Sequence, residues 1–316
     1  MKQTKKQDSS VLNKVAVAVV CAVLAVYTLS VVLPFAWALM TSLKSRMDFL
    51  TWENVLGLPS LEWSSDEMFK LKNYTQILTN FEIKVSANYI SGSGKVSYSE
   101  TYGLPMLVVH TLIYAGGGCI ISTLVPCVVA YMCAKYPYKL SKIVYAVAVL
   151  IMSIPIVGAY PSELRLLRQL NLYDSFLGNF IQKFNFTGMY FFVFYAFFET
   201  LPNSYSEAAE IDGASQWNTL VRISLPLAGK IISTVLLINF ITYWDDYQTP
   251  LLYLPTKPTI AYGVFQLIRD SSSSKGFDHV PIKIAGCMIL AMPILIIFIA
   301  LKEKLMGNIS MGGLKE

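Results

Sequence analysis

The chain has 316 residues, 54% of them hydrophobic and 14% charged, with a mean hydropathy of +0.51. A soluble domain carries about 25% charge, so this composition excludes a water-soluble globular enzyme and equally a disordered chain. The 25 basic and 20 acidic residues leave a net charge of +5 with no basic stripe of the kind a nucleic-acid binder presents. Five cysteines (Cys21, Cys119, Cys127, Cys133, Cys287) sit in or beside apolar runs without a CxxC pair. They read as small hydrophobes rather than disulfide partners or metal ligands.

A membrane-spanning helix needs ~20 mostly apolar residues, and long gaps between charges locate the candidates. Residues 15–40 carry no charge. The run is longer than the ~7–15-residue apolar stretch of a signal peptide, and no small-x-small cleavage site follows it, so a retained first span is expected. Residues 41–104 are polar and turn-rich. Within them Phe81-Glu-Ile-Lys-Val85 and Lys95-Val-Ser-Tyr-Ser-Glu100 alternate in polarity and predict paired strands around Ser91-Gly-Ser-Gly94. Uncharged residues 101–134 predict the second span and 143–162 the third. Glu163-Leu-Arg-Leu-Leu-Arg-Gln-Leu170 has the pattern of an interfacial amphipathic helix.

The fourth candidate, 184–198, is aromatic-rich and reaches spanning length if it starts near Phe180 with Lys183 at an interface. The fifth, 231–244, is equally short, and the sixth lies between Lys283 and Lys302. The expected fold is an all-α polytopic membrane protein with six transmembrane helices. About half of the 25 basic residues fall in segments 1–14, 135–142, 202–230 and 302–316, which predicts that these segments and both termini are cytoplasmic. Lys44 and Arg46, just past the first span, pull the other way. The expected divisions are 1–40 for the N-tail and first helix, 41–104 for an extracytoplasmic segment, 105–303 for the transmembrane core and 304–316 for a cytoplasmic tail.

Catalytic chemistry has little to work with. The two histidines, His110 and His279, are far apart, and Gly229-Lys230 is followed by Ile231 rather than the hydroxyl of a phosphate-cradling loop. Any ATP would be hydrolysed, with its magnesium, by another polypeptide, and no cofactor is expected here.

The informative stretch is the inner loop, 202–228. A short helix is expected to start near Ser204 or Ser206, with Glu207 and Glu210 suited to its first turn. Gly213 permits a sharp turn, a second helix follows from about 215 to 223, and Pro226 is expected to break it. Ala208, Ala209, Gly213, Ala214 and Ser215 leave a low profile that a partner could approach closely. Asp212 adds charge beside it.

This loop resembles the signature of the permease subunits of binding-protein-dependent ATP-binding cassette importers. That signature is Glu-Ala-Ala, three residues, Gly, nine residues, then Ile-x-Leu-Pro. Glu207-Ala208-Ala209, Gly213, Ile223, Leu225 and Pro226 match every position. The likeness is closest to the carbohydrate-uptake permeases of the maltose-transporter type. It extends to Pro34-Phe-Ala-Trp-Ala-Leu-Met-Thr-Ser-Leu-Lys44, Asn73-Tyr, Ala130-Tyr131, Ile154-Pro155, Ile211-Asp-Gly-Ala214, Leu251-Leu-Tyr-Leu254 and the tail. Residues 82–103 look like an insertion. The resemblance implies a type I importer permease fold in a bacterial cytoplasmic membrane. It implies a second permease subunit, two ATPase subunits and an extracytoplasmic solute-binding protein, with the loop 207–226 receiving the ATPase. The solute would be a sugar, an oligosaccharide, a glycerol derivative or another small molecule.

Where many relatives have Asn and then an acid after the fifth-span tryptophan, this chain has Trp244-Asp245-Asp246. Charges facing lipid are costly. Trp244, Asp245, Asp246 and Tyr247 are therefore candidates for the solute route, the alternative being acids that simply end the helix at the interface. A stand-alone secondary transporter would leave the inner-loop signature unexplained, and a membrane-embedded enzyme lacks a convergent catalytic set.

Overall fold

The computed structural model describes residues 2–50, 54–59, 71–91, 94–136, 138–154, 158–269 and 277–306. The hairpin tip at 92–93, Pro155, the Ser271–Ser274 run and the tail from 307 lie outside these residues.

In chain order the elements are α1 (Lys2–Ser42), α2 (Arg46–Leu50), α3 (Leu71–Asn80), strands β1 (Glu82–Ser91) and β2 (Gly94–Gly103), then α4 (Leu104–Lys135) and α5 (Lys139–Ser153). They continue with α6 (Tyr160–Gln169), α7 (Phe176–Gln182), α8 (Met189–Thr200), α9 (Ser204–Ile211) and α10 (Gln216–Thr219). A π-helical turn (Leu220–Ser224) leads to α11 (Leu225–Leu227), α12 (Gly229–Trp244), α13 (Gln248–Tyr253), α14 (Ile260–Arg269) and α15 (Val280–Met306).

The chain divides into two units, one of residues 1–79 with 270–289 and one of residues 80–269 with 290–316. In the first unit, α1 exposes every residue from 14 to 36, a band of Val, Leu and Tyr that water would not tolerate at this size but lipid would. Its C-terminal end is anchored by polar contacts. Lys44 is fully buried and donates to the carbonyls of Asn54 (2.6 Å) and Val55 (3.1 Å). Asn73 Nδ2 donates to Ser42 O (2.8 Å) and Lys44 O (2.9 Å). Arg46 pairs with Asp278 at 3.0 Å. The two cations that opposed the expected orientation are thus both engaged in local structure.

In the second unit, β1 and β2 pair antiparallel from Glu82 opposite Gly103 to Ser91 opposite Gly94, as the alternation predicts. Phe81, Ile83 and Val85 are buried while Glu82, Lys84 and Ser86 are exposed, the period of two that strands impose. The α4 helix is the axis of this unit. Its 32 residues span about 48 Å at ~1.5 Å each, and it packs against α8 and α12. Tyr131, Phe191, Phe194 and Phe198 form a fully buried aromatic core, with Tyr131 and Phe198 edge-to-face at 5.2 Å, a favoured ring geometry.

Among the described residues, three helical segments can cross a membrane by length and composition: Lys14–Ser42, Leu104–Lys135 and Val280–Ala300. A fourth is possible if Gln216–Leu227 and Gly229–Trp244, bent by 74°, count as one span. The sequence-based count of six is therefore not reached by unbroken helices, for local reasons. The third candidate is cut at Ile154, whose backbone is extended, leaving α5 with 15 residues. The fourth does not begin near Phe180, which belongs to the separate helix α7. Asn185 Oδ1 accepts from Thr187 N (2.9 Å) and Thr187 Oγ1 (2.7 Å), a side-chain turn that competes with helix, and α8 keeps only 12 residues.

Candidate functional site

Two places hold the residues singled out by the sequence. The first is the elbow formed by α9, Gly213, α10 and the π turn. The α9 helix ends in a Schellman arrangement: Gly213 N donates to Glu210 O (3.0 Å) and Ala214 N to Ala209 O (2.8 Å). Gly213 takes φ +76°, a conformation that costs a residue with a Cβ ~1–2 kcal/mol. The first helix starts at Ser204, as the sequence predicts, and Ser215 caps the next one, α10, accepting from Asn218 N at 3.3 Å. Asn203 precedes α9 without a side-chain cap bond.

Pro226 does not break the second helix. It lies in the first positions of α11, just after the π turn, where a missing N–H is harmless. The 74° bend falls at Ala228, while Ala228 N still donates to Ser224 O (3.0 Å) and Ile232 N to Ala228 O (2.9 Å). Turn and bend are therefore continuous with α12 through backbone hydrogen bonds.

Glu207, Ala208, Glu210, Asp212, Gly213 and Pro226 are exposed, whereas Ala209 turns inward and Ile223 and Leu225 are half-buried. The elbow also presents Ile211, 87% exposed, and Trp217, 66% exposed. Its root is fixed from two sides. Leu220 and Ala228 join the apolar core around Tyr131 and Phe198. Lys135, in the last turn of α4, donates to Leu201 O (2.6 Å) and Asn203 Oδ1 (3.1 Å). Displacing the elbow therefore pulls on α4, α8 and α12.

The second place is a polar cluster between α4 and α12. Tyr114 Oη donates to Asp246 Oδ2 (2.6 Å), and Thr249 N donates to Asp246 Oδ1 (3.0 Å). Lys183 Nζ donates to Tyr114 Oη (3.2 Å) and lies 3.7 Å from the ring centroid of Tyr243, a cation–π distance. Tyr243 Oη shares a hydrogen bond with Ser122 Oγ (2.7 Å), and Asn239 Nδ2 donates to Thr123 Oγ1 (3.0 Å).

Beside the cluster is a cavity of about 310 Å³ whose wall includes Ser122, Gln182, Lys183, Asn185, Asn239 and Tyr243, with Phe186, Tyr190 and Phe191 as aromatic faces. That volume is at the small end of ligand pockets, which run ~300–1,000 Å³.

The four fifth-span candidates do not converge. Trp244 is buried, donates through Nε1 to Leu290 O (2.9 Å) and packs on Phe240. Asp245 is exposed, Asp246 joins the cluster, and Tyr247 stacks on Phe265 at 4.4 Å.

Sequence reasoning missed Tyr114, Tyr243 and Asn239, and took Lys183 for a charge left at an interface. One available signal is Gly116-Gly-Gly118 in the middle of an apolar helix, where each glycine costs ~1 kcal/mol against alanine. The structure gives two of them a use. A Cβ on Gly117 would stand 2.4 Å from Phe180 Cζ, and one on Gly118 3.1 Å from Lys183 Cδ. These glycines open the groove in which residues 180–183 lie. Among the described residues no group of three or more His, Cys, Asp or Glu is placed to hold a metal.

Residues 127–305 match the family described as the binding-protein-dependent transport system inner membrane component. That match covers more than half of the sequence and contains the whole elbow. The chain belongs to this family. It is accordingly a permease subunit of an ATP-binding cassette importer, a multi-pass bacterial membrane protein whose role is transport.

Relatives of this permease include the diacetylchitobiose uptake system permease protein NgcG of Streptomyces coelicolor, 23% identical over 292 residues, 92% of this chain and 86% of NgcG. The melibiose/raffinose/stachyose import permease protein MelC of Bacillus subtilis is 23% identical over 211 residues, 66% of this chain and 75% of MelC. A crystal structure of a bacterial ABC transporter involved in the import of the acidic polysaccharide alginate aligns with TM-score 0.70 and 19% identity, over 92% of this chain and 96% of that one. The permease thus shares that transporter's helical fold.

Proposed function

We propose that this permease carries a sugar or oligosaccharide across the bacterial cytoplasmic membrane as one half of a translocation pathway. The named solutes of NgcG and MelC support the carbohydrate class. The observation that carries the coupling role is the elbow itself. Glu207, Ala208, Asp212 and Gly213 lie on an exposed turn whose root, through Ile223, Leu225 and Pro226, runs directly into α12.

In this reading residues 202–228 face the cytoplasm and seat on one of two ATPase subunits. Ile211 and Trp217 are the apolar contacts of that docking, and a second, different permease subunit completes the pathway. An extracytoplasmic binding protein delivers the solute. Six crossings with both termini inside follow if α5 and α8, with their flanking residues, and the bent α10–α12 segment each cross once. The hairpin of 82–103 is then an extracytoplasmic insertion. Asp245, Asp246 and Tyr247 contribute to the solute route, and Trp244 acts as the framework that holds them to α15.

The test is cysteine cross-linking. Trp217→Cys should cross-link to an ATPase subunit in membranes, and ATP should drive carbohydrate uptake into vesicles containing the full importer. Labelling of Trp217→Cys from the outer side of intact cells would sink the proposal.

A further inference from the structure

Among the described residues lining the cavity beside α4 and α12, Lys183 carries the one charge. Two carboxylates stand behind that lining: Asp246, bridged to the lysine by the Tyr114 hydroxyl, and Glu163, which accepts from Gln182 Nε2 at 3.4 Å. The lysine is held in place: its stem crosses Gly118, where a Cβ would stand 3.1 Å from Cδ and 3.2 Å from Cε. Its ammonium has three N–H donors. One is used on Tyr114 Oη, and the rings of Tyr243 and Tyr114 lie 3.7 and 4.6 Å away.

The Asp246 carboxylate bonds to the Tyr114 hydroxyl, and neither these two residues nor Glu163 belong to the lining. An anion in the cavity therefore reaches the ammonium directly, with both acids behind the wall. Around the lysine the wall offers Tyr243, Asn239 and Gln182 for hydroxyl groups, and Phe186 and Tyr190 as flat apolar faces. A neutral sugar would use the hydroxyl partners and the faces but leave the ammonium without a charged hydrogen-bond acceptor. A sugar acid would use all three, and charge-assisted hydrogen bonds are about twice as strong as neutral ones.

We propose that this cavity is a solute subsite for an acidic saccharide, with Lys183 receiving the carboxylate of a uronate ring while Tyr243, Asn239 and Gln182 meet its hydroxyl groups. The proposal rests on the carbohydrate reading above and narrows it to sugar acids.

The experiment uses the whole importer in lipid nanodiscs without its binding protein, with digalacturonate and neutral galactobiose as probes. Equilibrium binding should favour digalacturonate by about tenfold, Lys183→Gln should erase that preference, and Lys183→Arg should keep it. A second measurement avoids altering the lysine. With Thr187→Cys on the cavity wall, an anionic methanethiosulfonate should react faster than a cationic one, because Lys183 stands on the same wall and the acids stand behind it.

Equal binding of the two probes, a preference that survives Lys183→Gln, or faster reaction of the cationic reagent overturns the acidic subsite. Each of these leaves the carbohydrate reading intact, because that is judged separately by ATP-driven uptake in vesicles. Uptake restricted to non-carbohydrate solutes would overturn the wider reading as well.

Discussion

The elbow at α9–α11 and the cluster around Lys183 keep their shapes by opposite means. In the elbow, the turn is closed by bonds between residues three to five apart, such as Ala214 N to Ala209 O and Asn218 N to Ser215 Oγ. Long-range contacts enter only at its root, through Lys135 and the apolar core. In the cluster almost every bond joins distant stretches of chain: Tyr114 with Asp246, Lys183 with Tyr114, Ser122 with Tyr243. The surface that, in the proposed function, meets the ATPase is pre-shaped locally and left open. A surface inside the helix bundle exists only once the bundle has assembled. Breaking the first should uncouple transport without unfolding the subunit, and breaking the second should loosen the bundle.

The largest effect should come from Gly213→Val. Nothing lies within 4 Å of a Cβ placed there, so the penalty is backbone strain alone, ~1–2 kcal/mol for a residue with a Cβ and worse for a β-branched one. The turn should open, and ATP-driven uptake should fall to background while membrane insertion and assembly with the partner permease persist. Gly213→Asn, which tolerates φ +76° better, should retain most uptake. Equal uptake by wild type and Gly213→Val would break the comparison at its strongest point.

In the cluster the next largest effect is Gly117→Ala. A methyl 2.4 Å from Phe180 Cζ forces the ring and α7 outward, and overpacking of this kind costs ~1–3 kcal/mol. The purified complex should melt at a lower temperature, and Phe180→Leu in the same chain should restore part of the loss. Tyr114→Phe should cost a similar or smaller amount, ~1–3 kcal/mol, because Asp246 loses one donor but keeps Thr249 N, and Lys183 loses its acceptor. A double-mutant cycle with Asp246→Asn should show clear coupling in thermal stability. Strict additivity would mean that the Tyr114–Asp246 bond carries no energy.

This contrast also sets what the sequence could disclose. The signature from Glu207 to Pro226 was legible because its parts act within a few residues of each other. Gly213 at a positive φ and the hairpin of β1 and β2 follow from local rules. Misreadings arose where distant packing decides. Ala209 was expected on the contact surface, but it lies on the buried face of α9. Pro226 reads as a breaker until the π turn before it supplies a helical start. Lys183 reads as an interfacial charge because nothing in its neighbourhood announces two tyrosines, 69 residues before it and 60 after it. Trp244 reads as a solute-route candidate because no local feature reveals that Leu290 O takes its indole N–H.

The smallest predicted effect is the most specific test of local shaping. Ser215 caps α10 by accepting from Asn218 N, and its removal by Ser215→Ala should cost ~1 kcal/mol. Because α10 is a single turn, that loss should stay within the elbow. Amide exchange at 216–219 should accelerate about fivefold, the factor that ~1 kcal/mol implies, while amides of α4 and α12 remain as protected as before. Uptake should fall modestly, since the ATPase meets a turn that is populated less often but is otherwise unchanged. If exchange quickened along α12 as well, the elbow would not be an independently shaped element, and the bend at Ala228 would have to be counted as part of the same cooperative unit.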